Sequence, residues 1–189
     1  MLKVLGAGMP RTGTTSLCKA LQILGYKALD YHPARIKVDE IKKDGFKVFD
    51  DIEALTDAPG CFFFREIIAA YPDIRVILTV RDADDWFASI ERHCNWIERF
   101  TNTQRRSEAC AIHGLLFNSL WPNEYLWKRQ YNLHNRAVME ECGVPLLIID
   151  LCNGDDDPYI WKSICDFLEK PVPDMPFPWL NRCKNTRTT

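Results

Sequence analysis

The stretch "LKVLGAGMPRTGTTSLCKALQILG", residues 2–25, decides the fold. An apolar run from Leu2 to Ala7 enters a loop of glycine, arginine and hydroxyl residues. Leu17, Ala20, Leu21 and Leu24 then recur at helical spacing until Gly25. The run reads as a buried strand, and the later segment as a helix with a glycine stop. A loop that carries a strand into a helix aims backbone N–H groups at a ligand. The helix dipole there favours negative charge, so the stretch reads as a phosphate cradle.

Two common phosphate loops fit it poorly. In the dinucleotide fingerprint Gly6 and Gly8 are in place, but Arg11 stands where a third glycine allows close helix–strand packing. In the Walker loop Gly8 and Gly13 are correctly spaced, yet Thr14 replaces the lysine that neutralises β/γ-phosphates. The missing lysine argues against an ATPase or kinase and leaves phosphate binding intact. Arg11 supplies the cation from the front of the loop, and Thr12, Thr14, Thr15 and Ser16 add hydroxyl donors.

Working outward, "IRVILTV" (74–80) is β-branched and unbroken, which predicts a strand buried on both faces of a parallel sheet. Further strands are expected at 26–29 and, buried likewise, at 144–150. Helices are expected at 62–71, 82–100, 123–142 and 159–170. The polar stretch from Asp30 to Thr56 reads as loops with a short helix near Ile36 to Asp44, and residues about 96–123 as a helical cap. The prolines of "PVPDMPFPWLN" (171–181) exclude regular structure. Alternating strands and helices predict a three-layer α/β domain, a mainly parallel sheet flanked by helices, over residues 1–189.

Composition narrows the partners. A net charge of −2 gives no basic face for nucleic acid or anionic membrane, so any anion site is local. Eight cysteines without a C-x-x-C pair read as reduced, buried thiols of a cytoplasmic protein. No signal peptide is expected before the first strand, and no apolar run approaches the roughly 20 residues that span a bilayer. The expected partner is a small molecule, and the oligomeric state stays open.

"PRTGTTS" (10–16) matches at every position the pattern P-[KR]-[ST]-G-T-[TR]-[SW]. By this loop the chain resembles the PAPS-dependent sulfotransferases, and "TDAPGCFFFREIIAAYPDIRVILTVRDADDWFASI" (56–90) and "PVPDMPFPWLN" are similar to their small branch. The resemblance implies the P-loop-containing nucleotide-binding (sulfotransferase) fold. It implies 3′-phosphoadenosine 5′-phosphosulfate (PAPS) as donor, adenosine 3′,5′-bisphosphate as product, and no metal. Pro10, Arg11, Thr12, Gly13, Thr14, Thr15 and Ser16 would hold the 5′ end.

The family's 3′-phosphate site, an arginine at a strand end and a serine eight residues later, maps to Arg81 and Ser89. From the residues alone, Arg81 could equally pair with Asp82, Asp84 or Asp85. No R-K-G clamp is present, and Arg182 and Lys184 are its nearest substitutes. For catalysis the resemblance implies Arg11 as the cation on the transferring group and Asp57 of "TDAP" as the base. An aspartate before a proline is also a common turn residue. His32 of "DYHP" is the second candidate base; His93, His113 and His134 read as ordinary helix residues. The implied function is sulfuryl transfer to a hydroxyl or amine of a small acceptor. A nucleotide or nucleoside kinase, and an inactive PAPS-binding relative, remain the alternatives.

Overall fold

A computed structural model of the chain describes residues 1–30, 43, 45–97, 103–152 and 158–180. Its centre is a five-stranded sheet of β1 (Val4–Gly6), β2 (Ala28–Leu29), β3 (Ala54–Thr56), β4 (Arg75–Val80) and β5 (Leu146–Asp150). The spatial order is β2-β3-β1-β4-β5, with every pairing parallel. Among the described residues six α-helices surround it: α1 (Thr14–Ile23), α2 (Phe64–Ala70), α3 (Ala83–Ile97), α4 (Thr103–Phe117), α5 (Glu124–Glu141) and α6 (Pro158–Leu168). This is the predicted α/β architecture.

The layers follow from the handedness of parallel crossovers. The β1–α1–β2 connection moves toward one edge of the sheet, and later crossovers move toward the other. Right-handed connections in opposite directions place their helices on opposite faces. Accordingly Leu17, Ala20 and Leu21 of α1 pack with Ile160, Trp161 and Ile164 of α6 on one face, against Val4, Ala54 and Ile77. Phe64 and Ile67 of α2 and Val138 of α5 pack on the other, against Leu5, Leu55, Val76 and Leu78. A third apolar cluster joins α3, α4 and α5 through Trp86, Phe87, Ile90, Leu116, Phe117, Trp127 and Tyr131. It also takes in Met9, Ala58 and Cys61, from the loops after β1 and β3. The stretch read as a cap thus contributes α4 to a helical layer beside these loops.

Two readings of the sheet are corrected. The Asp30–Thr56 stretch, expected as loops, contains β3, which lies between β1 and β2. Three residues are too few to show a period, and pairing on both sides makes the strand. The 144–150 strand was expected to be buried, but β5 forms an edge and Ile148 is 46% exposed. The short helix expected near 36–44 falls almost wholly outside the described residues. β4 is buried as predicted: Val76, Ile77, Leu78 and Thr79 are inaccessible between β1 and β5.

Candidate active site

In an open parallel sheet, ligands settle beyond the carboxyl ends of the strands, where neighbouring connections run in opposite directions. Here that point lies between β1, whose chain leaves toward β2, and β4, whose chain leaves toward β5. Arg11 follows the first strand and Arg81 the second.

The loop after β1 is held by internal hydrogen bonds. The Thr12 hydroxyl donates to the Met9 carbonyl at 2.7 Å, so in its 2.6 Å contact with Thr79 the Thr79 hydroxyl is the donor. Gly8 makes this closeness achievable: a Cβ there would lie 1.8 Å from Thr79 Oγ1 and 2.7 Å from the Thr79 carbonyl. Gly8→Ala should therefore drive β4 and the loop apart. The expected loss is at least the roughly 1–3 kcal/mol of an overpacked core, read as a lowered denaturation midpoint. A midpoint equal to wild type would show that the loop tolerates a wider seat.

The four loop hydroxyls do not act as one set. Thr12 is wholly buried on its internal partners. The Ser16 hydroxyl accepts from the Leu180 N–H at 2.9 Å and ties the proline-rich segment to α1. These two were expected to face an anion, and their side chains instead hold the backbone. Thr14 donates to Asp57 Oδ2 at 2.6 Å, while Thr15 stays half-exposed on the first turn. Gly13 caps α1 at φ +94°, and the N–H groups that open the helix have no carbonyl of their own turn to bond.

Arg11 lies in the left-handed region at φ +74°, an uncommon conformation for a side-chain-bearing residue and one concentrated at functional sites. Its Nε donates to Ser89 Oγ at 3.2 Å. Arg81 Nη1 lies 3.5 Å from the Arg11 carbonyl. Arg81 Nε is buried and has no hydrogen-bond partner among the described residues. Of the nearby aspartates, Asp82 accepts from the Asp84 and Asp85 N–H groups as the cap of α3, and Asp84 pairs with Lys128 at 2.6 Å. Arg11, Arg81 and Ser89 therefore meet beyond the carboxyl ends of β1 and β4, and a buried donor among them lacks an acceptor. Such a donor costs stability unless an acceptor arrives, which suits an anion with oxygens to give.

Asp57 borders the same loop. It too is left-handed, at φ +65°, and its carboxylate accepts from Thr14 at Oδ2 and from the Ala58 N–H at Oδ1, both at 2.6 Å. Burial, then the charge of nearby Asp30, pushes its pKa up to about 7, against the pull of those two hydrogen bonds and of Arg11. A carboxyl tuned to that range can take and return a proton near neutral pH.

A sulfotransferase domain model matches residues 3–186. The chain belongs to the sulfotransferase domain family. It is similar to a protein of Aspergillus versicolor named Ava biosynthesis cluster protein M, with 26% identity over 216 aligned positions, covering 94% of this chain and 80% of the relative. The sulfotransferase domain match spans the loops that carry Arg11 and Arg81 and the segment around Asp57.

His32, Arg182 and Lys184 lie outside the described residues. His134 reaches the Ala7 carbonyl at 2.7 Å, and His113 lies in the α4–α5 packing. His93, read as an ordinary helix residue, is one turn beyond Ser89 and senses Arg11; burial first, and then that charge, lowers its pKa to about 4. Phe63 and Trp86 are core, whereas Phe62, Phe64 and Met9 line a cavity of about 660 Å³ between α2, α4 and α5. Among the described residues no three His, Cys, Asp or Glu side chains gather as a metal site, and no helix is long and apolar enough to cross a membrane. Sequence reasoning missed Tyr131, whose hydroxyl accepts from the Arg81 N–H; nothing near it in the chain marks that role.

Proposed function

We propose that this sulfotransferase domain transfers a sulfuryl group from PAPS to a hydroxyl or amine of a small acceptor. The observation that supports the reading is the closeness of the two arginines: Arg81 Nη1 lies 3.5 Å from the Arg11 carbonyl, and the buried Arg81 Nε has no acceptor among the described residues. The residues suit a ligand with anionic groups at two separated points. Arg11, Thr15 and the opening N–H groups of α1 would hold the 5′ end, and Arg81 with Ser89 the 3′-phosphate. When bound, the donor supplies the sulfuryl group and a phosphate leaving group.

The chain supplies position and charge. Arg11 carries the cation for charge developing on the non-bridging oxygens. Asp57 takes the acceptor's proton, and Thr14 holds its carboxylate toward the loop. We assign the acceptor's apolar body to the cavity beside Met9 and Phe62, because these residues belong to the loops that carry Arg11 and Asp57.

Calorimetry tests the donor. Adenosine 3′,5′-bisphosphate should bind equally with and without EDTA, and ATP with Mg²⁺ should bind far more weakly; the reverse order would favour a nucleotide kinase. Transfer from labelled PAPS to a panel of phenols, alcohols and amines separates an enzyme from an inactive binding relative. Arg81→Ala should weaken the bisphosphate by roughly 10–100-fold, in line with a lost charge-assisted hydrogen bond, and leave adenosine 5′-phosphosulfate nearly unchanged. Equal losses for both ligands would place Arg81 outside the 3′ site.

A further inference from the structure

We infer that Trp86 and Tyr131 are positioning residues that set the separation of the two anchors, as one stacked bracket. The inference rests on the donor reading above. Tyr131 is buried on α5, and its hydroxyl both accepts from the Arg81 N–H and donates to the Arg81 carbonyl, each at 2.8 Å. β4 ends at Val80, so the Tyr131 hydroxyl grips the first residue beyond the strand by both backbone groups. The Tyr131 ring stacks on Trp86 at 4.4 Å and 13°. Trp86 Nε1 in turn donates to the Pro10 carbonyl at 2.9 Å, directly before Arg11.

A continuous path therefore runs from the Arg81 backbone through two rings to the Arg11 loop. Neither ring reaches solvent: Trp86 is fully buried and Tyr131 is 1% exposed. Phe117 meets Trp86 edge-on at 5.7 Å. A ligand held at both ends depends on that spacing, because a misplacement of about 1 Å can cost roughly a hundredfold in rate. A ligand held at one end does not.

That asymmetry is the test. Tyr131→Phe keeps the ring and the stack and removes both bonds to Arg81. Affinity for adenosine 3′,5′-bisphosphate should fall about tenfold, because Arg81 is no longer held at the spacing that the 3′-phosphate requires. Affinity for adenosine 5′-phosphosulfate, which lacks the 3′-phosphate, should change less than about twofold, because it makes no use of that spacing. Trp86→Phe keeps an aromatic ring, frees the Pro10 carbonyl and should weaken the bisphosphate more than adenosine 5′-phosphosulfate; an equal loss for both would overturn the bracket. Thermal melts identify variants that lose fold, and ligand affinities are compared at a temperature where each variant is folded.

A general loss of packing would lower the melting point without separating the two ligands. A Tyr131→Phe protein that binds both ligands as wild type does, or loses equally for both, overturns the bracket and leaves the donor reading standing. A wild-type protein that binds neither nucleotide overturns both.

Discussion

Asp57→Asn lowers kcat by about 10²–10⁴-fold, the usual contribution of a positioned general base. Donor affinity stays near wild type, because the carboxylate faces Thr14 rather than Arg81. The variant should also keep its fold, and this separates a base from a turn residue. Asparagine tolerates the left-handed region better than most residues, so φ +65° is no obstacle. Its carbonyl oxygen can still accept from the Ala58 N–H.

Stability should respond to pH in a defined direction. Native Asp57 keeps its proton to about pH 7, whereas the ordinary carboxyl releases it near 3.8. Between those values the native state binds more protons than the unfolded one, so wild-type stability falls as pH rises. At pH 8 the wild type carries a buried carboxylate at a cost on the order of a few kcal/mol, which the amide lacks. Asp57→Asn should therefore melt no lower than wild type at pH 8, with a weaker dependence on pH from 4 to 7. Wild-type kcat/KM should rise through about pH 7 and then level, as the base loses its proton. Full activity in the variant would move the base to His32; a sharp fall in its melting point would make Asp57 a turn residue.

Arg11→Gly should lower kcat by about 10²–10³-fold, as expected for removing one preorganised donor at developing charge. Its stability should barely change, for two opposed reasons. Glycine relieves a side-chain-bearing residue of the left-handed conformation at φ +74°, worth roughly 1–2 kcal/mol. Against that stands the hydrogen bond from Arg11 Nε to Ser89, worth about 0.5–1.5 kcal/mol, and the greater freedom of glycine when unfolded. Arg11→Lys keeps the charge but not the fork and should fall between the two. Steady-state kinetics with a melt of each variant decides the matter. Turnover retained in Arg11→Gly would remove Arg11 from the chemistry, and an unfolded variant would make the residue structural.

Arg11 and Asp57 share one property: each holds a left-handed backbone conformation beside the loop after β1. The sequence shows their chemistry but not that conformation. It also shows Ser89 one helix beyond Arg81, yet the bond that Ser89 accepts comes from Arg11, 78 positions away.

What the chain determined by itself is local. Apolar runs and helical spacing marked β1, α1, β4 and α3, because burial on one or both faces imposes a short period on the residues. The glycine, arginine and threonine of "PRTGTTS" marked an anion cradle, because such a loop needs close backbone approach, a cation and hydroxyls within a few residues. Tertiary structure decided the rest. β3 is a strand because β1 and β2 pair with it on either side. Thr12 and Ser16 turn inward because Thr79 and Leu180 arrive from elsewhere in the chain. Tyr131 reaches Arg81 across 50 residues because α5 packs beside the end of β4. A hydrogen bond between distant residues depends on the register of sheet and helices, and that register is a property of the whole packed core rather than of any one segment.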